Sequence, residues 1–540
     1  MKKWPYSEIS RPWADGRRLF LLFFFIFLLI NLFLGQQKIF ELPPQGVHLG
    51  RQADGLTFTY NYYKDGLNLF NPHLNNLQSE GGCKASEFPL IYAVVASLYK
   101  IFGPHIWIFR LITLLIVFFG FYSLFRMLSL VLNDMLQGMA LSLIFFSSSI
   151  LIYYSANFLP DPAALAFSLA GWWFFFKYSD KQTQSDLWLC FLFFTVGALL
   201  NLSYALNPMT AIGIFIIERF WGIRLKDEGH YFKHPVTFTI LSFVFILLVF
   251  LWDFWMHQYN NLHGNSYFPS SALPLWEASG KEIRETWQLI TNYWYTKYYY
   301  ESIFHFFLLI LILGVLWISR SGRLLVFLSV MIILGGLFYF LLFYQQFAQH
   351  DYYMINLMTV ILFPVLASLK GLKQKFPKQM NTYFMTLLLF ILSFLGIQYA
   401  KINFQRRYDS TVVVGTKFNV GFYEIKPYLA AAGVSSDARI ISVPDPSPNI
   451  SLYFIDHMGW TIPAETRRMR DTIRYFIRLG ANYLLISDTS LTKQAEMQGF
   501  LLHKCMDHKG ISLYKLYPTM DSLQCLFLPS TTGPWRTRFK

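Results

Sequence analysis

The chain has 540 residues, of which 54% are hydrophobic, 19% aromatic and only 14% charged. A soluble globular chain carries about a quarter charged residues, so the composition excludes an ordinary soluble domain. The formal net charge of +14 does not indicate nucleic acid, because the basic residues gather in short loops between apolar runs, as membrane topology requires.

Leu19–Leu34, Leu111–Phe125 and Phe243–Trp252 contain almost no charge. A membrane span needs roughly 20 apolar residues, and slightly fewer with flanking aromatics. The first run is long, lacks an Ala-x-Ala-like exit and precedes many others, so it reads as a span and not as a cleaved signal. In chain order the pattern predicts about eleven spans, near 19–36, 105–125, 137–155, 163–178, 187–205, 207–222, 236–256, 302–319, 323–345, 353–369 and 382–400. Asn207–Pro208 makes a tight break between the fifth and sixth. No internal repeat and no low-complexity tract is visible.

Loop charges orient the spans. Lys2, Lys3, Arg11, Arg17 and Arg18 precede the first one. With that end inside, the other inside loops hold Arg126, Lys177, Lys181, Arg219, Arg224, Lys226, Lys233, Arg320, Arg323, Lys370, Lys373, Lys375 and Lys378. The outside loops are much longer and hold fewer basic residues. This asymmetry predicts a multi-pass protein of the cell inner (plasma) membrane, with its N-terminus cytoplasmic. An odd number of spans places everything beyond about residue 400 outside.

Three regions are then extracytoplasmic: a first loop (about 37–104), a mid-chain loop (about 257–301) and the tail. In the first loop, Phe88–Phe102 is apolar, begins at Pro89 and reads as a helix lying at the interface. The tail reads as a small α/β domain. Ala438–Val443, Tyr483–Ser487 and Ile511–Leu516 are strand-like, and Thr466–Leu479 has helical periodicity ending at Gly480. The expected division is 1–404 as membrane module and 405–540 as extracytoplasmic domain. The tail has no phosphate-binding glycine loop and reads as a binding or packing module. Cys83, Cys190, Cys505 and Cys525 show no metal-ligand spacing, and Cys505 and Cys525 are candidates for a disulfide if the tail is exported.

Four polar clusters fall on the outer side. They are His48-Leu49-Gly50-Arg51-Gln52-Ala53-Asp54-Gly55, Glu87-Phe88-Pro89-Leu90, Asn157-Phe158-Leu159-Pro160-Asp161-Pro162 and Gln349-His350-Asp351-Tyr352-Tyr353. Their shared depth predicts one cavity. Structural roles compete with functional ones. Asp161 before Pro162 also fits a helix cap, and Glu87 also suits a helix dipole. His350 also fits a surface position. Asp54 has no evident cap role. An outward carboxylate beside an apolar, tyrosine-rich surface suits proton abstraction from a hydroxyl nucleophile. A polyprenyl-phosphate leaving group departs as an anion and needs no acid. Arg51, His350, Tyr352 and Tyr353 are then candidates to hold its phosphate.

At these residues the chain resembles the GT-C superfamily of membrane glycosyltransferases. The branch is the one that includes protein O-mannosyltransferases and the aminoarabinose transferases that modify lipid A. The resemblance rests on Arg51-Gln52-Ala53-Asp54 after the first span, Glu87 to Leu90, the Pro-Asp-Pro turn at Asp161 and, less specifically, His350, Tyr352 and Tyr353. It covers roughly residues 19–400, and a C-terminal extracytoplasmic domain is usual there. It implies the GT-C fold, Asp54 as general base, Asp161 in the acceptor or donor site, and Glu87 near a metal or substrate. The aminoarabinose transferases follow this glutamate with a Lys that contacts the lipid phosphate, whereas this chain has Phe88. Phosphate binding then falls to Arg51 or a mid-chain basic residue such as Lys297, and aminoarabinose is disfavoured.

The expectation is therefore a polytopic α-helical transferase. It moves a sugar, with inversion, from a polyprenyl-phosphate donor to a lipid, glycan or protein acceptor. The cofactor question stays open between a divalent cation and none. The alternative is a transporter or flippase of lipid-linked sugar. Such proteins place ionisable groups near the bilayer midplane, and Asn201, Asn207 and Pro208 are the residues that favour it.

Overall fold

The computed structural model describes residues 16–226, 229–265, 272–409, 412–413 and 416–517. They form two compact units. One draws on 1–72, 85–262 and 268–416, the other on 73–84, 263–267 and 417–540. Cys525 and the basic residues Lys2, Lys3 and Arg11 lie outside the described residues.

The first unit is helical, and a helix occupies each of the eleven expected span positions. Among the described residues, six helices are long and apolar enough to cross a membrane: Gly16–Leu34, Ile106–Leu132, Pro235–Leu262, Arg323–Leu342, Asp351–Lys375 and Tyr383–Tyr408. Two bent pairs raise this to as many as eight. Met135–Phe146 and Ser149–Ser155 meet at 81°, and Gly280–Tyr298 and Glu301–Val315 at 100°. The other three expected spans depart from the simple pattern. Gln184–Leu200 has 17 residues and Leu206–Arg219 has 14, short of the roughly 20 that a perpendicular span needs. Asp161–Lys181 has 21 residues, but its last turns carry Lys177, Asp180 and Lys181. The helices Ile106–Leu132 and Asp161–Lys181 pack closely. A Cβ at Gly120 would lie 2.4 Å from the Ala166 Cα. Small residues let membrane helices approach in this way, because lipid gives little hydrophobic drive for association.

The first loop contains more order than its polarity suggests. It holds a 17-residue helix, Leu49–Asp65, and a helix at Leu90–Phe102, where the sequence predicts one.

The second unit is an α/β module. Its strands are β1 (Ile440–Val443), β2 (Gly459–Thr461), β3 (Tyr483–Ile486), β4 (Lys504–His508) and β5 (Ile511–Lys515), in the order β2-β1-β3-β5-β4. β1 is parallel to β2 and β3, while β5 is antiparallel to β3 and β4. Met469–Arg478 covers one face with Met469, Ile473, Phe476 and Ile477, against Ile441, Val443, Trp460 and Leu484. Residues of the first loop join this unit. Asn76 bridges Gly459 of β2 in parallel fashion, with Leu77 N donating to Gly459 O at 2.7 Å. The Asn76 amide donates to Thr461 Oγ1 at 3.2 Å and to Pro448 O. Cys505 is exposed.

Candidate functional site

The helix Leu49–Asp65 carries Arg51 and Asp54 one turn apart, and so on one face. Polar contacts hold it in place. Gln52 is fully buried, and its amide donates to Gln45 O at 2.9 Å and Val47 O at 2.8 Å. Tyr153 donates to the same two carbonyls. Asp54 is fully buried within the helix body. Its neighbour Gly55 meets the Phe158 carbonyl so closely that a Cβ would lie 2.5 Å from that oxygen. This approach brings the Asp54 helix against the turn that leads into Asp161.

Arg51 grips Glu87 with one nitrogen 2.5 Å from each carboxylate oxygen, and Tyr92 donates to the same carboxylate. Burial pushes the Glu87 carboxyl up, but the Arg51 charge and the two hydrogen-bond donors outweigh it and hold it below its ordinary value. Burial opposes the Arg51 charge, and the neighbouring Glu87, Tyr92, Tyr352 and Asp54 together more than offset it. The Tyr92 ring stacks on Phe58 at 5.5 Å, which ties the two first-loop helices together.

Asp161 is the first residue of the helix Asp161–Lys181. The capping position belongs to Pro160, so Asp161 is not the cap. The Asn201 amide donates to its Oδ1 at 2.9 Å. Arg51 and Glu87 lie within Coulombic reach of Asp161, and Arg51 is also within reach of Asp54, Tyr92 and Tyr352. Tyr353 feels Asp161, Arg51 and Glu87. The structure thus gathers Asp54, Glu87, Asp161, Arg51, Tyr352 and Tyr353 in one electrostatic neighbourhood. His350 borders it, its ring 5.6 Å from His48 and 5.2 Å from Tyr352.

Lys297 keeps other company. It lies 3.5 Å from Asn403 Oδ1, over the Tyr293 ring at 5.6 Å, within reach of the Arg406 and Arg407 charges. Phe88 packs edge-on to Trp252 at 4.9 Å, and its backbone N–H donates to Leu199 O. Asn201 and Asn207, the residues that favoured a transporter, have local partners. Asn201 serves Asp161, and Asn207 accepts from the buried Trp172 indole at 2.8 Å.

Two further residues belong to the assembly. His48, with φ of 57°, precedes the Asp54 helix, and Asp351 beneath it is fully buried. Asp351 accepts from Tyr154 at 2.7 Å and lies 2.7 Å from Arg407 Nη2. The sequence shows Asp351 only as part of a turn, because its partners are separated from it by tens to hundreds of residues. Among the described residues, no group of three or more His, Cys, Asp or Glu is placed to hold a metal ion. Glu87, the residue nearest to such a role by resemblance, is committed to Arg51 and Tyr92.

Residues 86–252 match the family model for dolichyl-phosphate-mannose-protein mannosyltransferases. No curated protein sequence matches the chain. In structure the chain is similar to ArnT from Cupriavidus metallidurans in the apo state. The TM-score is 0.59 at 10% identity, covering 93% of this chain and 99% of the other. The same protein bound to undecaprenyl phosphate gives 0.58 at 9% identity, covering 94% and 100%. The archaeal oligosaccharyltransferase AglB from Archaeoglobus fulgidus, in complex with an inhibitory peptide and a dolichol-phosphate, gives 0.53 at 9% identity, covering 87% and 69%. The chain is therefore a polytopic helical membrane protein with the GT-C fold.

Proposed function

We propose that this protein is a membrane glycosyltransferase that moves a sugar from a polyprenyl-phosphate donor to an extracytoplasmic acceptor. The observation that carries this reading is the convergence of Asp54, Glu87 and Asp161 around Arg51 in a chain of GT-C fold. The match of residues 86–252 to the mannosyltransferase family model and the undecaprenyl phosphate in one structural neighbour support the choice of donor.

Asp54 takes the proton from the acceptor hydroxyl. The hydroxyl oxygen then bonds to the anomeric carbon from the face opposite the phosphate. The bond from that carbon to the phosphate oxygen breaks, and polyprenyl phosphate leaves as an anion. One displacement inverts the anomeric centre, and the proton stays on Asp54 until solvent removes it. Tyr352, Tyr353 and His350 line the phosphate end, with Arg51 supplying positive potential while it holds Glu87. Asp161, kept in place by Asn201, orients a sugar or acceptor hydroxyl. In this reading the N-terminus is cytoplasmic, the site faces out of the inner membrane, and the unit containing the tail is extracytoplasmic.

The test is reconstitution of the full chain in proteoliposomes with radiolabelled undecaprenyl-phosphate hexoses and pentoses and a cell-envelope extract as acceptor. Label transferred to the acceptor with inverted configuration supports the reading. Movement of donor across the bilayer without transfer supports the flippase instead.

A further inference from the structure

The most constrained carboxylate near the site is Asp351, to which the reaction above gives no role. It is fully buried, and four separate elements meet on it. Its Oδ1 accepts from Tyr154, at the end of the helix Ser149–Ser155, at 2.7 Å. The same oxygen lies 3.2 Å from His48 Nε2, before the helix Leu49–Asp65. Its Oδ2 lies 2.7 Å from Arg407 Nη2, near the end of the last long helix. Asp351 itself opens the turn Asp351–Ile355, which carries Tyr352 and Tyr353. Oδ1 thus accepts one hydrogen bond, from Tyr154, and the two oxygens lie within ion-pair distance of His48 and Arg407.

His48 is the informative partner. Its φ of 57° is a left-handed conformation that a non-glycine residue adopts at a cost, and it persists only where surroundings enforce it. Asp351 on one side and the Tyr352 ring, edge-on at 5.0 Å, supply that enforcement. His48 is three residues from Arg51 and six from Asp54. The angle at which the chain enters the helix therefore sets where both side chains sit.

We infer that Asp351 is a positioning residue. Through His48 it fixes the register between the helix that carries Arg51 and Asp54 and the turn that carries Tyr352 and Tyr353. This inference rests on the transferase reading for its effect on turnover, but not for its effect on the helix. Reacting groups misplaced by about 1 Å can cost about 100-fold in rate, so a lost tie lowers turnover more than donor affinity.

The experiment uses the full chain in nanodiscs, as wild type, Asp351→Asn, Asp351→Glu, His48→Gln and the Asp351→Asn/His48→Gln double variant. Transfer is followed with the labelled undecaprenyl-phosphate sugars, and backbone hydrogen exchange over residues 49–55 is followed in parallel. The expected results are a kcat for Asp351→Asn lower by about 100-fold, KM for donor within about threefold, and partial rescue in Asp351→Glu. The double variant falls no further than Asp351→Asn, because the two residues act as one unit. Exchange over 49–55 rises about tenfold in both single variants, while the helix Pro235–Leu262 stays protected. If Asp351→Asn fails to insert, His48→Gln decides alone, since it leaves the Asp351–Arg407 pair intact. Unchanged exchange over 49–55, wild-type turnover in Asp351→Asn, or multiplicative losses in the double variant would overturn the inference. If the wild type transfers no label, the transferase reading fails, while the exchange result still decides the tie.

Discussion

Arg51 and Glu87 form a partly buried ion pair in which one guanidinium nitrogen sits 2.5 Å from both carboxylate oxygens, with side chains 18% and 9% exposed. The pair joins the two helices of the first loop and sets the charge around Asp54 and Asp161. Removing one partner strands the other in a poorly hydrated place. Glu87→Gln or Arg51→Met should therefore cost about 3 kcal/mol, whereas an apolar replacement of both should cost less than the two losses summed. Thermal unfolding of the three variants in one detergent checks this.

The same pair has an acid signature. The folded Glu87 carboxyl is held below its ordinary value. Its stabilisation is thus present above the unfolded-state value of about 4.3 and is lost as pH falls through the depressed one. Wild-type stability should decline below about pH 4 more steeply than that of Glu87→Gln, because the variant has no proton to take up there. Parallel thermal-shift profiles from pH 7 to pH 3 measure the difference.

Gly55→Ala reverses an ordinary expectation. In a helix interior the change normally stabilises by about 1 kcal/mol. Here the new Cβ would lie 2.5 Å from the Phe158 backbone carbonyl, which has no side-chain freedom with which to yield. The net effect should be a loss of about 1–3 kcal/mol and a drop in turnover, because the Asp54 helix must move off the Asp161 turn. A stabilised, fully active Gly55→Ala would show that the two elements are not in contact.

Asn201→Ala removes the amide that donates to Asp161. A buried carboxylate deprived of a donor costs about 1–3 kcal/mol, and Asp161 should lose its fixed orientation. Turnover should fall while the protein still inserts. Asn201→Asp should be worse than Asn201→Ala, since it sets a second carboxylate beside the first. Specific activity normalised to inserted protein separates the two.

Asn76→Ala should loosen the α/β unit by about 1–2 kcal/mol, because it removes the side chain that bonds Thr461 and Pro448 at the β2 edge. Limited proteolysis should then release the tail faster than from the wild type. The helix Pro235–Leu262 should retain its protection.

Much of the architecture was legible in the sequence, and the exceptions have physical causes. The apolar runs located a helix at all eleven span positions, and Pro89 marked the start of the helix Leu90–Phe102. The strands at Ile440–Val443, Tyr483–Ile486 and Ile511–Lys515 were visible as β-branched or aromatic runs. The helix Leu49–Asp65 was not, because Gly50, Gly55 and the buried polar residues Gln52, Asp54, Thr57 and Thr59 mask its periodicity, although it buries Leu49, Leu56 and Phe58 besides the Gln52 hydrogen bonds. β2 has only three residues, and the strand-like pairing of Asn76 joins positions nearly 400 apart, which no local pattern reveals. The sequence grouped Asp54, Glu87 and Asp161 by their expected side of the membrane, and the structure places each within electrostatic reach of Arg51. The sequence offered Asn201 only as a residue favouring a transporter and Asp351 only as part of a turn, and it did not single out Tyr92, because their contacts depend on partners distant in sequence or on exact side-chain geometry.

The central claim is that Asp54 takes the acceptor proton. Asp54→Asn keeps the size of the side chain and removes its basicity, so it isolates that role. Full-length wild type and Asp54→Asn, in matched nanodiscs, are compared for undecaprenyl phosphate binding and for transfer from labelled undecaprenyl-phosphate sugars. The account predicts unchanged binding with transfer reduced by at least about 100-fold, within the range of a lost general base. Transfer at the wild-type rate by Asp54→Asn would contradict it.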